Sequence, residues 1–328
     1  MKVVCKNFPD DYPLLKRDRE LNVSLPALVW AAVTVGAPSL SDVNLSSWPA
    51  IAFAFHKAFA IESIMNIDNN EISLQPNYEN LDQSEKVVLS YWTGMMLTKL
   101  VSDQFLGVPY PAHVRAMQKK LQLTTNPETS LSLPDLIGQD PSKKWHVLEA
   151  KCYKKDPGPK EKESWTLQAQ RVIEIDGIPP STTSYCFTTL QPSKYGSNFK
   201  MEWVDPEIKK DSDSFSIDVY PIQLLQFYYR PFFEIFKNVE RKDLRDDDGI
   251  IFLPKRICDN HENKWSIGIL EDILDQLREL MDQDFLKNKR TEIEISNIVE
   301  KYKKKTKYDS SINTHEYLGS DGIAVKKG

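Results

Sequence analysis

Apolar and polar positions along this chain divide it into helical and extended stretches. From Pro26 to Val35 nearly every residue is apolar, and the run stops at Gly36-Ala37-Pro38, which predicts a buried helix. Ser46-Ser47-Trp48-Pro49 reads as the start of a second apolar helix over 50–65, with proline in its first turn. Residues 66–80, rich in Asn, read as a loop. Asp82 and Glu85 form a capping box that opens a helix running to about residue 104 and stopping at Gly107-Val108-Pro109. Its apolar content predicts burial on most sides, and Ser90, Gly94 and Thr98 make a line of small residues that lets a strand or helix approach closely.

The centre of the chain changes period. Pro134-Asp135-Leu136-Ile137-Gly138, a polar turn over 138–142, and Trp145-His146-Val147-Leu148-Glu149-Ala150-Lys151 predict two strands folded back on each other. Side chains alternate along a strand, so Glu149 and Lys151 share one face while Leu148 and Ala150 share the other. Downstream, 164–175 reads as an amphipathic helix, 185–190 and 198–204 as strands, and 220–236 as an aromatic helix with a kink or break at Pro231. Asp246-Asp247-Asp248 reads as a solvated turn before a strand at 250–254, 267–285 as an amphipathic helix, and 319–325 as a short strand.

The hairpin brings chemistry. Asp135 and Glu149 would converge on one point, with Lys151 beside them. Two carboxylates suit Mg²⁺, which keeps several waters and takes few protein ligands. A lysine there orients a water or neutralises charge at a phosphorus centre. Pro134-Asp135 with Glu149-Ala150-Lys151 resembles the motif of the PD-(D/E)XK, or restriction-endonuclease-like, nuclease superfamily. The flanking elements extend the likeness to roughly residues 82–205.

The resemblance implies an α/β (α+β) fold: a small mixed central sheet flanked by helices, with helical N-terminal (1–80) and α/β C-terminal (206–328) additions around a core at 81–205. It implies a metal-dependent nuclease, a DNA endonuclease of a restriction or anti-phage setting, using Mg²⁺ or Mn²⁺. Asp135, Glu149 and the Ala150 backbone carbonyl would hold the metal, Glu85 would be an additional ligand, and Lys151 would be catalytic. Some branches of that superfamily place a glutamine on the helix after the lysine. Gln168 and Gln170 point about 200° apart on a helix, so only one can face the site, and Gln168 is preferred. Lys154, Lys155, Lys160 and Lys162, in a loop after the motif, are candidates for contact with a nucleic-acid backbone.

Composition qualifies this picture. With 41% hydrophobic and 27% charged residues, the 328-residue chain has the makings of one large or two modest cores. A net charge of −5 speaks against indiscriminate polyanion binding and requires any basic surface to be local; Lys301–Lys307 is the most basic run. The four cysteines and five histidines lack zinc-ligand spacing. Neither a signal core nor a run of the ~20 apolar residues a span needs is present, so a cytoplasmic protein without a membrane partner is expected. His146 and Cys152, six apart on one strand, lie ~20 Å from each other and cannot act as a hydrolase pair. The competing reading is a non-catalytic scaffold of the same fold, with the aromatic segment 220–236 as the face for a second copy or a partner protein.

Overall fold

The computed structural model describes residues 1–35, 49–68, 70–121, 132–190, 199–208, 214–237, 239–240, 245–253, 256–259, 262–281, 295–306 and 315–328. In chain order the elements are β1 (Lys2–Lys6), β2 (Arg19–Glu20), α1 (Leu25–Thr34), α2 (Pro49–Glu62), β3 (Met65–Asp68), β4 (Glu71–Leu74), α3 (Gln83–Leu106), β5 (Ala112–His113) and α4 (Val114–Leu121). There follow β6 (Leu136–Gln139), β7 (Trp145–Tyr153), α5 (Pro159–Gln170), β8 (Val172–Ile175), β9 (Thr182–Thr189), β10 (Lys200–Val204), β11 (Phe215–Ile217) and α6 (Pro221–Lys237). The chain closes with β12 (Arg245–Asp247), β13 (Ile250–Phe252), β14 (Ile257–Cys258), β15 (Lys264–Leu270), α7 (Glu271–Met281), α8 (Ile295–Thr306), β16 (Glu316–Leu318) and β17 (Ile323–Lys327).

A mixed seven-stranded sheet in the order β2-β1-β10-β9-β7-β6-β5 is central. The β7–β9 and β1–β10 pairs are parallel and the others antiparallel. Helix α3 lies on one face. A Cβ added at Gly94 would sit 3.2 Å from the Lys151 carbonyl carbon and 3.3 Å from Cys152 Cβ, so the small residue lets helix and strand approach closely. Helix α5 covers the other face: Tyr153 stacks on Trp165, and Gln168 meets Lys151. The side chains divide by strand alternation. Leu148, Ala150 and Cys152 join the core containing α3, and Trp145 and Val147 join a second cluster with Val172 and Ile175.

A second, antiparallel sheet, β12-β13-β15-β17-β16 with β14 on β15, occupies the C-terminal third. Helix α1 is buried along almost its whole length because it packs between α3 and the β16–β17 turn. A Cβ at Gly319 would fall 2.2 Å from the Trp30 ring. One hydrophobic core runs from Met1 to Val325, so the N-terminal and C-terminal parts share it.

Several expectations give way. The N-terminal 80 residues are not purely helical: β1 pairs with β10, and 66–80 contains most of the β3–β4 hairpin. Val87, Val88 and Tyr91 leave one face of α3 exposed. The helix expected over 164–175 starts at Pro159 and ends at Gln170, since Val172–Ile175 pairs with β11 instead. Ile267–Leu270, expected to begin a helix, is strand, pinned between β13 and β17. The aromatic helix α6 contains Pro231 without ending there, and Tyr228, Tyr229, Phe232, Phe233 and Phe236 are buried in the chain's own core. That burial accounts for most of the segment's rings within the chain itself, while Tyr220 is exposed. The stop at 36–38, the cap at 46–48, residues 282–285 and Lys307 lie outside the described residues. No helix among the described residues is long and apolar enough to cross a membrane.

Candidate active site

The site grows out of the β6–β7 hairpin. Its turn is tied by Lys144 N–H donating to Asp140 Oδ1 (2.9 Å) and by Lys143 in the left-handed region at φ 64°. The register it sets pairs Leu136 with Leu148, so Asp135, one residue before β6, falls opposite Glu149. Directly opposed residues of an antiparallel pair share a face. The two acids then exchange backbone bonds: Asp135 N–H donates to Glu149 Oε2 (3.1 Å), and Ala150 N–H donates to Asp135 Oδ2 (2.9 Å). The Asp135 carboxylate takes the place of a β6 carbonyl where that strand has run out. Because one residue's N–H and C=O point to the same side of a strand, the Ala150 carbonyl is directed to that same edge.

Glu149 is fully buried and Asp135 is half-buried. Burial raises both carboxyl pKa values, that of Glu149 well above the usual range, where the Asp135 charge pushes it further and Lys151 only partly offsets the rise. The Lys151 side chain, 20% exposed, forms an ion pair with Glu149 Oε1. Burial alone would lower the Lys151 pKa, yet the Glu149 and Asp135 charges together raise it. Its ammonium also donates to Gln168 Oε1 at 3.4 Å, and Gln168 Nε2 donates to the Leu133 carbonyl at 2.6 Å. Gln168 therefore ties α5 to the strand end carrying Asp135. Gln170 turns away and binds the carbonyls of Pro206 and Glu207.

These donors fit a hard divalent cation that retains water: two carboxylates and one backbone carbonyl, with no histidine or thiolate among them. Glu149 Oε1 has no hydrogen-bond donor besides its lysine counter-ion, which leaves a buried oxygen with capacity for a ligand. Among the described residues no cluster of three His, Cys, Asp or Glu side chains exists that could hold a metal without such water and carbonyl ligands.

The remaining candidates are placed elsewhere. Glu85 is exposed, and its carboxylate closes the capping box by accepting from Asp82 N–H at 2.9 Å. The α3 residue at the site is Tyr91, about 9 Å further along the helix axis at 1.5 Å per residue. The charges of Asp135 and Glu149 add to the desolvation that raises the Tyr91 hydroxyl, and Arg115 opposes them. Arg115 follows Val114, whose N–H donates to the Asp135 carbonyl at 3.1 Å. Neither was singled out for this role from sequence; the Ser90-Gly94-Thr98 line was the signal that this face of α3 meets the sheet. Lys154 pairs with Glu79 (2.7 Å), Lys162 lies 3.5 Å from Glu202, and Lys155 and Lys160 are exposed. Set against known protein families, curated proteins and solved structures, the chain matches none.

Proposed function

We propose that the chain is a metal-dependent phosphodiesterase of the PD-(D/E)XK kind acting on nucleic acid, DNA first among candidates and defence against foreign DNA as its setting. The observation that carries this is the exchange between Asp135 and the Glu149-Ala150 pair, with Lys151 and Gln168 closing the same wall. The order α3, β5, α4, β6, β7, α5, β8, β9, in which β5, β6 and β7 are antiparallel neighbours and β9 is parallel to β7, supports it as a helix, three antiparallel strands, a helix and a strand like those of that nuclease core, with α4 and β8 added.

Asp135, Glu149 and the Ala150 carbonyl would hold Mg²⁺ or Mn²⁺, which supplies Lewis-acid stabilisation of phosphoryl oxygens when bound. Lys151 offers a fixed positive charge and donor hydrogens to an attacking water and to the charge growing on the phosphate. Gln168 sets where that ammonium points. The test is cleavage of supercoiled and single-stranded circular DNA in Mg²⁺, Mn²⁺ or EDTA, beside Lys151→Ala and Asp135→Ala. Metal-dependent cutting that falls at least about a hundredfold in both variants is expected. In parallel, Mg²⁺ should raise the melting temperature of the wild type and leave that of Glu149→Gln unmoved. Cutting retained by Asp135→Ala, or identical Mg²⁺ responses of wild type and Glu149→Gln, would refute the assignment.

A further inference from the structure

We propose that the site takes single-stranded or unpaired nucleic acid, with bases stacking on Tyr91 and Tyr153 on either side of the acid pair. This deepens the phosphodiesterase reading and rests on it. Among the described residues three Phe, Trp or Tyr side chains are exposed, Tyr91 (43%), Tyr153 (42%) and Tyr220 (50%); Tyr91 lies within electrostatic reach of both acids, and Tyr153 within that of Lys151, two residues before it on β7. Tyr153 ends β7 on the face that carries Glu149 and Lys151. Its ring lies on that of Trp165 at 5.2 Å and 27°, and Trp165 is wedged against Tyr185 (5.9 Å) and Phe187 (5.6 Å). A ring braced from behind by buried rings and open in front is a stacking platform whose ordering entropy was lost on folding, not on binding. Tyr91 stands one turn before Gly94, the residue of α3 that abuts Lys151 and Cys152, and exposed Val87 and Val88 extend an apolar track from it.

The charges near the site argue the same way. A protein that follows a duplex draws its affinity from lysines and arginines on phosphates. Here Lys154 is engaged by Glu79, Glu202 lies within ion-pair distance of both Lys6 (2.8 Å) and Lys162 (3.5 Å), and the chain as a whole is acidic. Base faces are hidden inside a duplex and available in a single strand. Aromatic platforms flanking a metal-type site, with two of the four loop lysines drawn to acids, therefore suit a strand whose scissile phosphate lies between two unstacked bases.

The test is fluorescence anisotropy with short labelled oligonucleotides, single-stranded or duplex and of the same sequence, with Ca²⁺ replacing Mg²⁺ to prevent turnover. Single strand should bind about tenfold or more tightly than duplex. Tyr91→Ala and Tyr153→Ala should each weaken single-strand binding between about five- and a hundredfold, while Tyr91→Phe and Tyr153→Phe stay within about twofold of wild type. Thermal melts identify variants that are folded. Equal affinity for duplex, or unchanged binding by folded alanine variants, would overturn the inference. If duplex DNA is cleaved in an Asp135-dependent way and both tyrosine variants cleave it normally, this inference fails and the phosphodiesterase reading stands. If neither strand form is bound or cut, both fall together.

Discussion

Replacing Asp321 tests whether the two halves of the molecule are locked together by one buried charge cluster. Asp321, fully buried in the turn before β17, accepts from Trp30 Nε1 (3.1 Å), Tyr228 Oη (2.6 Å) and Ile323 N–H (3.0 Å), and stands 3.8 Å from the Lys99 ammonium. Those partners come from α1, α6, β17 and α3. In Asp321→Ala, Lys99 keeps the Pro109 carbonyl, the faces of Trp30 (4.4 Å) and Tyr228 (5.2 Å) and the more distant charge of Asp103, but loses its nearest carboxylate. Leaving one member of a buried ion pair without the other costs about 3–5 kcal/mol. Each abandoned Trp30 or Tyr228 donor costs about 1–3 kcal/mol on its own, and these terms overlap because the groups share one acceptor. The expected loss is therefore about 4 kcal/mol, a large part of the ~5–15 kcal/mol of a typical domain. Urea unfolding of wild type, Asp321→Ala, Asp321→Asn and Lys99→Met measures it. Asn keeps an acceptor and should cost less than Ala, and Lys99→Met combined with Asp321→Asn should cost less than the two single changes added. A loss below about 1 kcal/mol for Asp321→Ala, or strict additivity in the double variant, would refute the reasoning.

Two further expectations concern the sheet. Gly94→Val puts branched carbons where even a Cβ meets the Lys151 backbone at 3.2 Å, so it should cost about 1–3 kcal/mol in urea unfolding and lower cleavage beyond what the unfolded fraction explains; Gly94→Ala should come close to neutral, because about 1 kcal/mol of helix propensity opposes the crowding. Asp205, buried and accepting from Thr183 N–H at 2.8 Å, has its pKa raised by burial to about 7. A carboxyl raised in the folded state contributes stability below its unfolded value that is lost as pH climbs to the folded one, so Asp205→Asn should match wild type near pH 4 and exceed it by up to about 4 kcal/mol above pH 7, read from melts across that range.

How much of this was legible follows from the range of the forces involved. The capping box of Asp82 and Glu85 and the Asp135–Glu149 hairpin rest on residues within a few positions of each other or joined by one turn, and both are present. Val172–Ile175 and Ile267–Leu270 are short apolar runs beside helices, and periodicity over four residues does not separate strand from helix. Their state is decided by β11 and by β13 and β17, partners the local pattern cannot name. Strand β1 likewise joins the central sheet through β10, nearly two hundred residues away. The aromatic pattern of α6 announced burial but not what would cover it. Tyr91 and Arg115 were missed because each looks ordinary on its own helix, and only the crossing of α3 over β7 and the β5–β6 pairing bring them to the acids.

Helix α3 carries both charged clusters, about 12 Å apart along its axis from Tyr91 to Lys99 at 1.5 Å per residue, and the contrast between them separates structure from chemistry. Around Lys99 two buried acids likewise share one buried lysine and Asp103 pushes Asp321 up, but each group is tied within the fold: Asp321 has three hydrogen-bond donors, Asp103 takes the Ser320 hydroxyl, and two aromatic faces cover the ammonium. Burial there is complete, and nothing is left for a ligand to satisfy. At the other end the Asp135 charge adds to the desolvation that raises Glu149, one buried Glu149 oxygen has only Lys151, and Asp135 is half-buried where its strand ends. Like charges held together at a loss of stability are expected where a ligand of opposite charge completes the set. A cation at Asp135 and Glu149 removes the repulsion that the bare fold sustains, and it would do so at the point where β6 ends and the Ala150 carbonyl is turned toward the same edge.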